Sequence, residues 1–216
     1  EIPGDGIDND TNGYIDDVNG WDFVNDIPDP APKFGGAFTD AGIHHGTVIS
    51  GIIAAEGNNG IGIAGVSWHA AIVPLRVLNN RGEGDILTVI RAIEYAINAR
   101  VAVMNLSFVG DVDSTLLRDA LKRASDAGIV VVAASGNDEH NRQGINLTEH
   151  PLFPACYAAA KDFTLVSVAA IATDGKKAGY SNYGNCITIA APGNDIESTQ
   201  VVRYEQPGFD AFYGNG

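Results

Sequence analysis

One arrangement occurs twice in the middle of this sequence: an amphipathic helical pattern followed directly by a short apolar run. In residues 85–100 the apolar side chains recur at helical spacing, with Asp85 placed to cap the first turn, and the apolar run 101–106 follows. Ser114 begins a second helical pattern, which leads into the apolar run 129–134. A strand that returns through a helix lies parallel to the one before it, so these two units predict a parallel sheet.

The two apolar runs are nearly continuous, which favours strands buried on both faces. Four further elements are expected, a helix over 47–56 and strands over 71–78, 164–170 and 186–191. We therefore predict an α/β fold, a three-layer sandwich around a central, mainly parallel sheet. A single domain is expected, with residues 1–40 as an acidic loop region and residues 41–216 as the α/β core.

Charge and composition exclude several classes of protein. The 216 residues include 27 Asp and Glu against 13 Lys and Arg, a formal charge of −14, which repels nucleic acid. No apolar run approaches the ~20 residues that cross a bilayer, so no membrane span is predicted. The two cysteines, Cys156 and Cys186, lack the paired spacing of a zinc site and form either one disulfide or two free thiols.

Candidate functional groups follow three of the predicted junctions, because ligands of open α/β sheets bind at the carboxyl ends of the strands. The sequence reads HHGT from His44, at the entrance of a small-residue helix. It reads NLSFVG from Asn105 and AASGND from Ala133, each at the end of an apolar run. If these two strands are neighbours, their loops lie side by side.

These motifs, with SGIIAA, YSNYG and AAPG, occur in an order that resembles the subtilisin-like serine proteases over residues 8–216. The resemblance implies that His45 is the general base and that Asn137 donates to the oxyanion. It also implies two substrate-binding stretches, an edge that pairs with an extended peptide and one wall of a side-chain pocket. These stretches are Ser107, Phe108, Val109 and Gly110 for the edge, and Ala133, Ala134, Ser135 and Gly136 for the wall.

Relatives usually carry glycine where this chain has Phe108 or Val109, so the cleft is expected to be narrower and to disfavour large side chains. The family's aspartate would precede the acidic loop and its serine would follow Gly216, and no Gly-Thr-Ser occurs in the chain. We therefore expect a fragment of a secreted serine endopeptidase, cut at both ends and inactive alone. A peptide or protein substrate and a propeptide are implied. Export to an oxidising compartment favours a disulfide between Cys156 and Cys186.

Calcium is the expected cofactor, partly on evidence that does not depend on the family. An EF-hand-like spacing runs from the first to the ninth position of a loop, in the order Asp8, Asp10, Asn12, Gly13, Tyr14 and Asp16. Asn19 stands where an EF-hand has Glu, and Asp17 is a candidate for the missing ligand. The alternative is a solvated acidic turn held by hydrogen bonds from its own backbone.

Two weaker calcium candidates accompany this loop. Asp22 belongs to a second acidic cluster that continues to Asp29. The stretch NNGIGI from Asn58 resembles the family's tight calcium loop, in which Asn59 and the carbonyl groups of Ile61 and Ile63 would face the metal.

Two other functions remain open at this point. A relative that lacks the serine or the aspartate would use the same cleft as a non-catalytic peptide-binding module. A purely structural calcium-binding domain would explain the acidic loop but not the motifs at His45, 105–110 and 133–137.

Overall fold

A computed structural model describes residues 1–33, 41–138, 140–201 and the backbone of 214–215. Its α-helices are α1 (Ala41–Ala54), α2 (Ile86–Asn98) and α3 (Thr115–Asp126), and a 3₁₀ helix covers Ala155–Ala160. Its strands are β1 (Trp21–Asp22), β2 (Leu75–Arg76), β3 (Val103–Leu106), β4 (Val130–Ala134), β5 (Leu165–Ile171), β6 (Ile189–Pro192), β7 (Glu197–Ser198) and β8 (Gly214–Asn215). The chain forms two compact units, one of Glu1–Thr88 with Asp195–Gly216 and one of Val89–Asn194. The boundary predicted after residue 40 stays a prediction.

The second unit is built on a parallel sheet in the order β3-β4-β5-β6. Helices α2 and α3 precede β3 and β4, so both predicted helix-to-strand units are confirmed. The buried faces of these helices carry Val89, Ile93, Leu117 and Leu121, at the spacing that the sequence indicated. The predicted α/β class with a mainly parallel sheet is confirmed.

Burial of the first strand pair differs from the prediction. Met104 and Leu106 of β3 are buried, but Val103 is 57% exposed and its partner Val130 is 43% exposed. On the same sheet face Ile189 of β6 is 51% exposed. The expectation of burial on both faces is therefore wrong for these strands, because the described residues cover only one face of their amino-terminal ends.

The first unit contains a short parallel pair and helix α1. Strand β1 pairs with β2, with Trp21 opposite Leu75. Helix α1 begins at Ala41, six residues before the predicted start, and packs on β7. The hydroxyls of Ser198 and Thr199 donate to the carbonyl oxygens of Val48 (2.5 Å) and Thr47 (2.7 Å). These bonds join the second turn of α1, which follows His45, to residues 198–199.

Cys156 and Cys186 form a disulfide, with 4.7 Å between their Cα atoms. Both sulfurs are buried beside Leu147, with Ile145 and Phe153 packed against them. The disulfide, which the expected export favoured over two free thiols, is therefore confirmed. Within the described ranges, no helix is both long and apolar enough to cross a membrane.

Helix α3 begins with a side-chain cap at Ser114, the residue at which the sequence predicted the helical pattern to begin. The Ser114 hydroxyl accepts the Leu117 N–H at 3.3 Å from a β-region backbone. The Ser114 backbone N–H and C=O also bond the Tyr157 hydroxyl, each at 2.9 Å, and burial raises the pKa of that phenol.

We expect Ser114→Ala to lower the free energy of unfolding by about 1 kcal/mol, because the Leu117 N–H loses its side-chain acceptor. Chemical denaturation of the whole protein measures this. Thr115→Ala is the matched control, since Thr115 is exposed at the next position and makes no capping bond in the structure. Equal losses in the two variants would contradict the capping role.

Candidate functional site

The loops after β3 and β4 lie side by side, as the topology predicted. Leu106 is the register partner of Ala133, so the chain continues from neighbouring strand ends into Ser107 and Ala134. Contact between the loops is close: a Cβ built on Gly136 would lie 2.9 Å from Cγ2 of Val109. Gly136 also has a φ of +79°, a second reason for glycine at this position.

The residues of these two loops differ in solvent exposure. Ala133 and Ser135 are buried, whereas Val109 is 36% exposed and Asn137 is exposed. The backbone N–H and C=O of Gly110 both bond Phe153, each at 2.8 Å. Gly110 is therefore paired within its own chain, and the assignment of residues 107–110 to a peptide-binding edge stays a prediction.

The backbone around Asn137 is held by a later segment of the chain. Asn137 forms an antiparallel bridge with Ser181, and the Asp138 N–H donates to the carbonyl of Tyr180 at 2.8 Å. The Asp138 carboxylate accepts the Asn141 N–H at 3.0 Å, and this bond lowers the pKa of Asp138. The side chain of Asn137 is thus exposed on a fixed backbone.

His45 lies on α1, in the first compact unit, and is exposed. Two residues before it, Ile43 is 2% exposed and anchors the first turn. The predicted motif thus presents its imidazole to solvent from a helix that is packed on its other side.

The acidic loop begins with a turn that Asp8 and Asp10 stabilise. The Asp8 carboxylate accepts the N–H groups of Asn12 (3.1 Å) and Gly13 (2.8 Å), and Asp10 also accepts the Asn12 N–H (3.1 Å). The ring of Tyr14 packs edge-on against Trp21, with 4.9 Å between ring centroids, and so joins the loop to the core of the first unit.

Three carboxylates meet at this turn. Oxygen atoms of Glu1, Asp8 and Asp10 all lie within 4.8 Å of one another. Glu1 Oε1 accepts the N–H groups of Asn9 (2.9 Å) and Asp10 (3.1 Å). Glu1 Oε2 is buried and has no hydrogen-bond partner among the described residues. Sequence reasoning missed Glu1, because it lies seven positions before the motif and no spacing rule includes it.

The other predicted calcium ligands have partners within the protein. Asp16 accepts the N–H groups of Gly4 (2.8 Å) and Gly6 (3.2 Å), and the buried Asp17 accepts from Asn12 Nδ2 (2.8 Å). Asp16 and Asp17 are not part of the cluster that Glu1 joins, and their assignment as metal ligands stays a prediction.

Asp22 and the loop from Asn58 also lie apart from that cluster. Asp22 is fully buried and pairs with Arg76 at 2.8 Å. Asn59 Oδ1 accepts the Ile61 N–H at 3.0 Å, Ile61 is 74% exposed, and Ile63 is partly buried. The assignment of Asp22, Asn59, Ile61 and Ile63 as metal ligands stays a prediction.

The motifs at His45, 105–110 and 133–137 are part of a similarity that extends along nearly the whole chain. The profile of the Subtilase family matches residues 7–215. This chain belongs to the subtilase family. The resemblance noted in the sequence is therefore confirmed over nearly the whole chain.

Curated subtilases and a solved structure are similar to this chain. It is 39% identical over 155 residues to a thermostable alkaline protease of Halalkalibacterium halodurans, covering 72% of this chain and 39% of that protein. It is 37% identical over 182 residues to thermitase of Thermoactinomyces vulgaris, covering 84% and 57%. The crystal structure of a cold-adapted subtilisin-like serine proteinase superposes with a TM-score of 0.64 at 26% identity, over 84% and 57%. The chain thus spans about two fifths to three fifths of these subtilases.

Proposed function

We propose that the whole protein carrying this chain is a serine endopeptidase in which His45 is the general base and Asn137 is an oxyanion donor. The observation that supports this most is the pair of loops after β3 and β4, which present Asn137 beside the stretch from Ser107 to Val109. Membership of the subtilase family adds to it.

In this reaction His45 takes the proton from a serine hydroxyl as the hydroxyl attacks the peptide carbonyl, and then returns it to the leaving amine. The Asn137 amide donates to the carbonyl oxygen as negative charge develops on it. The backbone edge of residues 107–109 binds the peptide as an added strand. Neither serine of these two loops is assigned as the nucleophile: Ser135 is buried, and Ser107, whose hydroxyl accepts from Asn105 at 2.8 Å, belongs to the peptide-binding edge.

A chromogenic peptide and a serine phosphonylating reagent test this function. The whole protein is expected to hydrolyse the first and to be labelled by the second, whereas residues 1–216 alone are expected to do neither. Peptide binding without hydrolysis by the whole protein would favour the non-catalytic alternative. Hydrolysis by residues 1–216 that is lost in His45→Ala would place the nucleophile inside this chain.

We further propose that the acidic loop binds Ca²⁺ through Glu1, Asp8 and Asp10. The orphaned Oε2 of Glu1 and the short separations of the three carboxylates suit a hard cation, which prefers several oxygen ligands. Asn12, the Tyr14 carbonyl and Asp16 are the remaining candidates from the spacing of the motif. When bound, the ion would offset the mutual repulsion of the carboxylates and stabilise the folded loop.

Calcium is expected to raise the melting temperature of the whole protein, since a ligand at 100 times its Kd stabilises the folded state by about 2.7 kcal/mol. Isothermal calorimetry should detect one fewer site in Glu1→Gln and in Asp8→Asn. Asp5→Asn is the matched control, because Asp5 accepts the Ile7 N–H in the same loop and stands outside the cluster. Unchanged calcium binding in both test variants would rule out this site.

The contact between Val109 and Gly136 supports a preference for small side chains before the scissile bond. The isopropyl group lies over Gly136, which the resemblance assigns to the wall of the pocket. A large apolar side chain would compete with Val109 for the same space.

Val109→Gly is therefore expected to raise kcat/KM for peptides with Phe before the scissile bond, relative to Ala, by about 10-fold or more. A series of chromogenic peptides measures the ratio. Val112→Gly makes the same change at a residue that is 58% exposed and should leave the ratio unaltered. An unaltered ratio in Val109→Gly would contradict the proposed occlusion.

Secretion is proposed as well. The disulfide between Cys156 and Cys186 supports it, because such bonds form and persist mainly in oxidising compartments.

A further inference from the structure

The segment from Tyr180 to Tyr183 lies between the two ends of the Asn137 loop. On one side it bonds residues 136–138, through the pairs Asn182 N–H to Gly136 carbonyl (3.1 Å) and Asp138 N–H to Tyr180 carbonyl (2.8 Å). On the other side the Tyr183 N–H donates to the Ile145 carbonyl at 3.0 Å, and the Leu147 N–H donates to the Tyr183 carbonyl at 2.7 Å. Residues 180–183 therefore bond both ends of the loop, the end that follows β4 and the end at Ile145 and Leu147.

The side chain of Asn182 joins these two ends directly. Its Nδ2 donates to the Ser135 carbonyl at 3.0 Å, and its Oδ1 accepts the Ile145 N–H at 2.9 Å. Asn182 is fully buried, so both ends of the amide are satisfied by backbone groups of the protein. One side chain thus bonds both Ser135 and Ile145, in addition to the backbone bonds of residues 180–183.

Two further contacts involve this part of the structure, one of the Asn182 amide and one of Lys177. A Cβ built on Gly136 would lie 3.0 Å from Asn182 Nδ2, so the amide packs directly against the residue before Asn137. Lys177 Nζ adds a second link, with bonds to the carbonyl oxygens of Gln143 (3.1 Å) and Ser181 (3.0 Å). The lysine, however, bonds Gln143 near the far end of the loop and not the strand end beside Asn137.

We propose that Asn182 is a positioning residue that fixes Asn137 for oxyanion binding. This inference rests on the proposed function, in which the Asn137 amide must already be aimed at the oxygen before charge develops. Asn137 follows Ser135 by two residues, so a displaced Ser135 carbonyl moves the donor as well. Asn182 touches neither substrate nor reacting atoms in this scheme and acts only through the loop.

Asn182→Ala in the whole protein is expected to lower kcat by about 10- to 100-fold and to leave KM within about threefold, because a donor misplaced by about 1 Å loses transition-state contact more than ground-state binding. Ser167→Ala is the matched control. Ser167 is equally buried and accepts the Thr188 N–H at 3.0 Å, but it bonds the β6 side of the sheet and not the Asn137 loop. The control should lower the melting temperature and leave kcat unaltered.

A double variant separates positioning from a general loss of stability. If Asn182 acts through Asn137, then Asn182→Ala should reduce kcat far less in an Asn137→Ala background than in the wild type. Equal losses in both backgrounds would overturn the proposal. A wild-type value of kcat in Asn182→Ala would also overturn the positioning role. The proposed function is judged separately, by whether the wild-type protein hydrolyses the peptide.

Two measurements keep the inference testable if Asn182→Ala does not fold or if the wild type does not hydrolyse peptides. Asn182→Ser keeps a hydroxyl for one backbone partner but is too short to join Ser135 to Ile145, so it is expected to fold more readily than Asn182→Ala and still to lower kcat. Hydrogen exchange of the amides of residues 136–138 and 140–145 should be faster in either Asn182 variant than in Ser167→Ala. Equal exchange rates would show that Asn182 does not hold the loop, whatever the activity.

Discussion

His45→Ala is expected to reduce kcat of the whole protein by about 10⁶-fold, the size found for loss of the histidine in subtilisin, itself a subtilase. Without the imidazole no group takes the serine proton as the hydroxyl attacks, and none returns it to the amine. The fold should tolerate the change, because His45 is exposed and α1 is held instead by Ile43 and by the bonds from Ser198 and Thr199.

The comparison is made with His69→Ala, since His69 is also exposed and lies outside the motif. Both variants should keep the wild-type melting temperature, and only His45→Ala should lose turnover of the chromogenic peptide. If His45→Ala retained a tenth of the wild-type kcat, another residue would be the general base.

The helices and strands of the second unit were predictable because their burial follows one period. In α2 the buried Val89 and Ile93 are four residues apart, and in α3 Leu117 and Leu121 are spaced in the same way. Side chains three or four positions apart share one helix face, so the sequence pattern is a direct record of the packing.

The short elements were not predictable in the same way. The 3₁₀ helix Ala155–Ala160 consists mostly of alanine and has no apolar period. Strands β1 and β7 are two residues long, and their pairing depends on partners distant in the chain. Such elements are set by tertiary contacts, which local propensity does not report.

The exposed face of β3 has a different origin. An apolar run fits a strand buried on both faces, but the residues alone do not say whether something covers the second face. Val103, Val130 and Ile189 are apolar and are left exposed on that face. The apolar runs were therefore correctly predicted to be strands, but the prediction that both of their faces are buried was wrong.

Part of the candidate site could be predicted from topology. Placing the loops after 106 and 134 side by side required only that β3 and β4 be parallel neighbours, which their register confirms. The contacts of Glu1 and Asn182 could be recognised only in the folded chain. Glu1 meets Asp8 through the path of a loop, and Asn182 meets Ser135 across 47 positions of sequence.

Asn137→Ala is expected to lower kcat of the whole protein by about 10²–10³-fold, the loss measured for such a donor in subtilisin itself. KM should change little, because the amide acts mainly on the charge that develops on the oxygen in the tetrahedral intermediate. The backbone should stay in place, since the bridge to Ser181 and the Asp138 bond to Tyr180 do not involve the Asn137 side chain.

Asn141→Ala is the matched control for this measurement, because it makes the same change at an exposed position of the same loop. It should retain wild-type kcat and KM with every peptide. A rise in KM with unaltered kcat in Asn137→Ala would mean that the amide binds the ground state and the transition state equally. If both kcat and KM were unaltered in Asn137→Ala, Asn137 would not be an oxyanion donor. Since Asn182 is proposed to act only by placing that amide, the positioning role would then be excluded with it.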